Sequence, residues 1–290
     1  MRFARFRRDG REGVAAAAPG GAFHGRLAGE PGHPGELAEL IARGALADGA
    51  RALLSAPVVD LDSVALLPPL PAPGKILCVG LNYADHSAES GFAVPDYPTV
   101  FARFASSLIG HGAPMLRPRV SEQLDYEGEL VAVIGKGGRH IPRERALEHV
   151  VGYSIFNDGS VRDYQRKAPQ WTVGKNFDAT GAFGPALVTA DELPPGCRGL
   201  RLKTRLNGQV VQQASTDDLI FDVATLVSLL SEAITWAPGD VIVTGTPAGV
   251  GAARTPPLWM RAGDLCEVEI EGIGVLRNPI LDEAEQRQAA

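Results

Sequence analysis

Apolar residues along this chain fall mainly into short runs bounded by turn residues. Lys75-Ile-Leu-Cys-Val-Gly80, Leu130 to Ile134, Val150 to Phe156, Leu200 to Leu206 and Val241 to Thr244 each read as a buried strand. Cys266 to Ile270 and Ile273 to Leu276 flank Glu271-Gly272, a hairpin signal. One stretch departs from this: Val223, Leu226, Val227, Leu230 and Ile234 recur at helical spacing, with Asp222 placed as N-cap and Pro238-Gly239 just beyond. Strands outnumber helices and do not alternate with them, which argues against a Rossmann or TIM architecture.

The chain ahead of Lys75 has a different texture. Pro19-Gly20-Gly21 and Pro31-Gly32-His33-Pro34-Gly35 are turn material, and Leu37, Leu40, Ile41 and Ala45 predict a short amphipathic helix. A brief strand over Val58 to Leu61 follows. Leu67-Pro-Pro-Leu-Pro-Ala-Pro-Gly74 can neither continue a helix nor sit in a central strand. It reads as a linker between a small N-terminal domain, residues 1–70, and a larger one, residues 71–290. The basic start, Met1 to Arg8, reads as an edge strand with snorkelling arginines; a transit peptide is the weaker alternative.

Composition then removes several function classes. The chain has 290 residues, 28 Lys+Arg against 34 Asp+Glu, and a net charge of −6. Duplex nucleic acid demands clustered basic residues, so no nucleic-acid partner is expected. Three dispersed cysteines, Cys78, Cys197 and Cys266, exclude a disulfide framework or cysteine zinc site and suit a reducing compartment. No apolar run approaches a membrane span, so the expected location is the cytoplasm.

The candidate chemistry is acidic. In Asp125-Tyr-Glu-Gly-Glu-Leu-Val-Ala-Val-Ile134, period-two geometry places Glu127 and Glu129 on the strand face of Val131 and Val133. Either they sit at a solvated strand start, or they are buried and need a cation, since unpaired buried carboxylates are very costly. Asp158 follows the next strand, and Asn157-Asp158-Gly159 is also a plain turn signal. Three strand-end carboxylates without Cys or His suit a hard cation such as Mg²⁺ or Mn²⁺. If Asn82 to Glu89 is helical, His86 and Glu89 share a face and form a base pair for proton removal. Lys175 reads by itself as a solvated lysine, and the glycine-rich Thr244 to Gly251 is no P-loop.

Taken in order, N-Y-x-x-H-x-x-E, D-Y-E-x-E-L, N-D-x-x-x-R-D, Gly-Lys and T-G-T-P-x-G-V-G resemble the fumarylacetoacetate hydrolase family over about residues 75 to 280. The likeness is to its bacterial branch of acylpyruvate and diketo-deoxy-sugar-acid hydrolases. It implies an α+β, β-rich fold: a mixed β-sandwich roll with a smaller N-terminal domain, usually a homodimer. It also implies that Glu127, Glu129 and Asp158 hold Mg²⁺ or Mn²⁺. His86 and Glu89 would activate water on a mobile lid, over about residues 82 to 96, and Lys175 would stand beside the metal. Arg162, Gln165 and Thr246 would hold the substrate's carboxylate and oxo groups. Arg103, in Phe101-Ala-Arg-Phe104, replaces a substrate-facing lysine of many relatives, which bears on which acid is recognised.

The activity expected from this resemblance is metal-dependent hydrolysis of a C–C bond in a 2,4-dioxo acid, a small-molecule oxo-acid substrate. The same enolate-stabilising site would serve an oxo-acid decarboxylase, isomerase or hydratase. A non-catalytic carboxylate-binding homodimer is the alternative of another class, because function lives in the site and not in the fold.

Overall fold

The computed structural model describes residues 1–89 and 95–283. Its N-terminal part holds β1 (Arg2–Arg8), β2 (Arg11–Ala17), β3 (His24–Leu27), α1 (Leu37–Ala42), α2 (Leu46–Leu54) and β4 (Ala65–Leu67). Then come β5 (Ile76–Gly80), α3 (Ala84–Glu89), β6 (Thr99–Ala102), β7 (Leu108–Ile109), β8 (Met115–Arg117), β9 (Leu124–Asp125) and β10 (Gly128–Ile134). β11 (Val150–Asp158), β12 (Ser160–Val161), α4 (Arg162–Gln165) and β13 (Gly181–Thr189) follow. The chain ends with β14 (Arg201–Leu206), β15 (Gln209–Ser215), α5 (Val223–Ala233), β16 (Val241–Val243), β17 (Leu265–Ile270) and β18 (Gly274–Asp282).

One mixed sheet runs β3-β2-β1-β13-β11-β10-β16-β5-β6, with β4 on β1 and β7 on β13. A second runs β15-β14-β17-β18-β8, and β9 pairs β12. The strand-rich α+β reading therefore holds. The apolar run of β10 is unbroken because both of its faces are covered. Leu130, Ala132 and Ile134 enter the core shared with Leu202, Val268 and Leu276 of the second sheet. Val131 and Val133 enter another core, with Phe3, Val14, Leu37 and Leu40 from the N-terminal segment. Apart from Ala132, each such side chain contributes about 1.5–3 kcal/mol by leaving water.

The signals for α5 and for the last hairpin are realised directly. The Asp222 carboxylate accepts from the Thr225 N–H at 2.8 Å, and Val223, Leu226, Val227 and Leu230 are buried. β17 and β18 pair across Glu271-Gly272. The helix expected from Leu37 to Ala45 forms as α1 and ends at Ala42, because Gly44, with φ +64°, turns the chain before a second helix, α2, begins at Leu46. At Val58 to Leu61 only one bridge, His24 to Val58, forms. Asp60 instead caps a 3-10 turn by accepting from the Asp62 N–H, and β4 begins later.

β1 is not an edge strand. It lies between β2 and β13, and its Arg5 is buried, bonded to Pro68 O at 3.0 Å and Glu12 at 2.6 Å. Residues 1–70 thus share a sheet and a core with the rest of the chain. The proline run carries the chain from β4, beside β1, to β5 near the far edge of the same sheet. The boundary expected there is a change of sequence texture and not a gap in packing. Among the described residues no helix is long and apolar enough to cross a membrane.

The topology gathers four strand termini. β11 and β16 are both antiparallel to β10, and β5 is parallel to β16. The start of β10 therefore meets the ends of β11, β16 and β5 at one rim of the sheet. α3, α4 and the glycine-rich loop leave from that rim.

Candidate active site

Glu127 and Glu129 flank Gly128 at the start of β10, and Gly128 pairs with Asn157 of β11, which brings Asp158 alongside. The Asp158 N–H donates to Glu127 O at 2.9 Å, and the Glu127 N–H to Asn157 Oδ1 at 3.0 Å. These bonds hold one carboxylate oxygen of each of Glu127, Glu129 and Asp158 within 4.8 Å of the others. Their exposures are 4, 2 and 0%, so neither a solvated strand start nor an exposed turn describes them. Such a group survives burial only with compensating charge.

Three buried cations supply most of it. Lys175 Nζ donates to Glu127 Oε2 at 2.5 Å and Asp158 Oδ2 at 2.7 Å, and lies 4.9 Å from the Phe101 ring centroid. Gly174 lets the lysine in: a Cβ there would stand 2.3 Å from Gln165 N. Burial opposes the lysine's charge, but Asp158 and Glu127 outweigh it and its pKa lies above the usual value. Arg162 donates from Nε to Asp125 at 2.8 Å, from Nη2 to Glu127 at 2.6 Å and from Nη1 to Gln165 Oε1 at 2.9 Å. Arg103 pairs with Asp158 and donates to Gly159 O at 3.1 Å and Thr180 Oγ1 at 2.8 Å.

Asp125 fastens this cage to the glycine-rich loop by accepting the Gly251 and Ala252 N–H groups at 2.8 and 3.0 Å. Gly245 brings the loop to Glu129, donating its N–H to Oε2 at 2.5 Å. Its φ is +105°, and a Cβ there would lie 2.8 Å from Val79 O, so only glycine makes this approach without strain. Asn82 locks the neighbouring segment: Nδ2 donates to Thr244 O at 2.7 Å and Oδ1 accepts from Phe221 N at 2.8 Å.

Four carboxylates, with Asp125 counted, face three side-chain cations. The surplus negative charge falls on Glu129. Burial first, then the Asp158 and Glu127 charges, push its pKa well above the carboxylate range. A divalent cation fits this donor set, which is all oxygen, buried and short of positive charge. Mg²⁺ affinity should accordingly rise with pH, because the ion needs the carboxylate and must expel the Glu129 proton. In metal-free protein the folded state holds that proton where the unfolded chain has lost it. Stability should therefore fall as pH climbs above the usual carboxylate range, and saturating Mg²⁺ should flatten the slope. Calorimetry in buffers of different ionisation enthalpy checks this; proton-neutral, pH-independent binding would count against it.

Beside the cage opens a cavity of about 500 Å³, walled by Glu127, Glu129, Lys175, Arg162, Gln165 and Thr246 together with Phe101, Trp171 and the glycine-rich loop. Trp171 meets Phe101 edge to face at 5.6 Å. The segment Ala84–Glu89 is helical, and Glu89 lines the cavity, both carboxylate oxygens accepting the Gly249 N–H at 3.0 Å. The His86 side chain and residues 90–94 of the expected lid lie outside the described residues.

One expected substrate contact needs correction. Arg103 does not line the cavity; its guanidinium stands behind Asp158, fully engaged by Asp158, Gly159, Thr180 and Ser107. Arg162 does line it, and gives three of its five N–H groups to Asp125, Glu127 and Gln165. Thr246 gives its one proton to Gly128 O at 3.0 Å and accepts from Gln212 at 2.8 Å, so it faces the cavity as an acceptor. Gln165 uses its oxygen on Arg162, which leaves its NH₂ to donate to a ligand. Sequence reasoning missed Asp125, Gln212 and Trp171, although Asp125 stands inside a motif already singled out.

The profile of the fumarylacetoacetate (FAA) hydrolase C-terminal family matches residues 75–281. The human protein named oxaloacetate tautomerase FAHD2A, mitochondrial, is 41% identical over 249 residues, 85% of this chain and 77% of that one. Among solved structures, fumarylacetoacetate hydrolase from Exiguobacterium antarcticum is 38% identical with TM-score 0.82, covering 98% of this chain and 100% of that one. Maleylpyruvate hydrolase from Sphingobium sp. SYK-6, solved with manganese(II) and pyruvate, is 27% identical with TM-score 0.79, covering 97% and 99%. The gathered carboxylates, the lysine between them and these matches agree: the chain belongs to the fumarylacetoacetate hydrolase family.

Proposed function

We propose that this chain moves a proton at C3 of a 2-oxo acid, interconverting the keto and enol forms of an oxaloacetate-type substrate at a divalent-metal site. The observation that carries the reading is the buried Glu127–Glu129–Asp158 trio, held by Lys175 in the wall of a cavity. Its similarity to oxaloacetate tautomerases favours this chemistry over the others open to such a site.

A divalent cation held by Glu127, Glu129 and Asp158 would supply Lewis-acid polarisation of the 2-oxo group. The chain's own residues do the rest. A base takes the C3 proton, the C–H electron pair becomes the C2–C3 double bond, and the carbonyl pair moves onto oxygen and takes up a proton. His86 and Glu89, one turn apart on α3, are the base candidates. Lys175, kept protonated by Asp158 and Glu127, is the cation for the negative charge that develops on oxygen. Glu89 and Asp125 hold α3 and α4 to the glycine-rich loop, so the walls stay in register around the acid.

Hydrolysis of a C–C bond in a 2,4-dioxo acid is the second reading, supported by the likeness to maleylpyruvate hydrolase. It uses the same enolate-stabilising cage, with the base acting on water. The test follows the decay of oxaloacetate enol and, in parallel, pyruvate release from acylpyruvates, with Mg²⁺, Mn²⁺ or EDTA. Metal-dependent acceleration of enol decay is the expected result. Pyruvate release without it would transfer the assignment to hydrolysis. No turnover with either ion would leave only a carboxylate-binding protein.

A further inference from the structure

α4 is a single turn, so residues 162, 165 and 166 stand on one side of it at i, i+3 and i+4. All three line the cavity, but their donors are differently engaged. Arg162, innermost, is bound to Asp125, Glu127 and Gln165. Gln165 retains its NH₂. Arg166 caps the helix C-terminus through its backbone N–H, to Arg162 O at 3.1 Å, and its side chain is exposed. Among the described residues its guanidinium has no ion pair or hydrogen bond. Its neighbour Lys167 is turned away, with Nζ 3.2 Å from the Tyr164 ring centroid.

Charge shows what such a cation is for. The cage carries one formal negative charge; a divalent cation and the 1-carboxylate of an oxo acid together bring it to neutrality. A second carboxylate on the ligand then meets, among the described residues, no unspent cation inside, because Lys175 and Arg162 already serve Glu127, Asp158 and Asp125. Among the described residues the unspent cation on the cavity wall is Arg166, and Ala168, Pro169 and Trp171 offer apolar surface for the carbon chain between.

Building on the oxo-acid reading above, we propose that Arg166 is a specificity-determining residue that receives the distal carboxylate of a dicarboxylic 2-oxo acid, with the Gln165 amide donating further in. A guanidinium fork suits a carboxylate better than an ammonium does. Calorimetry with Mg²⁺ present would compare 2-oxoglutarate with 2-oxopentanoate, acids of equal chain length that differ in the terminal carboxylate. The wild-type protein should prefer the diacid by about two- to fivefold, the range of a charge pair open to solvent. Arg166→Ala should remove the preference, Arg166→Lys keep part of it, and Arg166→Glu invert it. In turnover of oxaloacetate the Ala variant should raise KM and leave kcat within about twofold, as expected when uniform binding is lost. A preference that persists in Arg166→Ala overturns the assignment. So does equal binding of both acids by the wild type, which leaves the oxo-acid reading standing. Failure of either acid to bind while Mg²⁺ does bind would overturn both.

Discussion

Replacing Lys175 by Met is expected to lower turnover about 10²–10³-fold, the usual cost of removing one preorganised donor from a developing oxyanion. Met keeps most of the side-chain volume and loses the charge, so the effect reports the ammonium and not the packing. The same change leaves Glu127 and Asp158 buried without the cation that bridges them at 2.5 and 2.7 Å. Breaking one partner out of a buried pair costs about 3–5 kcal/mol, so the variant should be markedly less stable than wild type in EDTA. Added Mg²⁺ should narrow that gap, because it returns positive charge to the same carboxylates. The lysine's own contribution should not vary near neutrality. A lysine whose folded pKa is raised contributes fully at every pH below its unfolded value of about 10.4, and loses that contribution only as pH rises through the folded pKa. Denaturant melts with and without Mg²⁺, beside steady-state kinetics, measure both effects. Wild-type kcat in the Lys175→Met protein would remove the lysine from the mechanism.

How far the cage was legible in advance depended on the kind of residue. The β10 carboxylates stood out because their neighbours on the same strand face are valines, and an acid continuing an apolar face is an anomaly that one strand suffices to show. The helix α5 was equally plain, since its cap and its apolar stripe are both local. The roles of the arginines were not. Arg103 and Asp158 are 55 residues apart, and Arg162 and Asp125 are 37 apart, so the partner of each guanidinium is set by sheet pairing that no local pattern reports. The motif around Arg162 fixed where it sits, and only the pairing of β12 with β9 shows that its guanidinium meets the carboxylates of Asp125 and Glu127. β13 was missed because Gly181, Gly184 and Pro185 interrupt its apolar pattern, although it is the strand that joins β1 to β11. For the same reason the N-terminal segment looked separable. Arg166 was passed over because an exposed arginine next to a lysine is ordinary in sequence. What sets it apart is that Lys167 lies over Tyr164 while Arg166 stays on the cavity wall.

Replacing His86 by Ala should separate proton abstraction from the other work of the site. Removing a C3 proton, or a proton from attacking water, needs a general base, whose contribution is about 10²–10⁴-fold. Metal-assisted loss of CO₂ from oxaloacetate breaks a C–C bond without such a base and draws only on electrophilic polarisation and charge stabilisation. The Ala variant should therefore lose tautomerisation, and any hydrolysis of 2,4-dioxo acids, by that factor. Decarboxylation of oxaloacetate should fall less than about tenfold, and oxalate should bind the Mg²⁺ form as tightly as it binds wild type. α3 supplies a control. Glu89 accepts the Gly249 N–H with both oxygens, so Glu89→Ala releases the helix from the glycine-rich loop as well as removing the carboxylate three residues after His86 in the chain. That variant should weaken oxalate binding, whereas His86→Ala should not. If His86→Ala depressed tautomerisation and decarboxylation equally and weakened oxalate as Glu89→Ala does, the histidine would be a closing contact for α3. The base would then have to be sought elsewhere on the cavity wall.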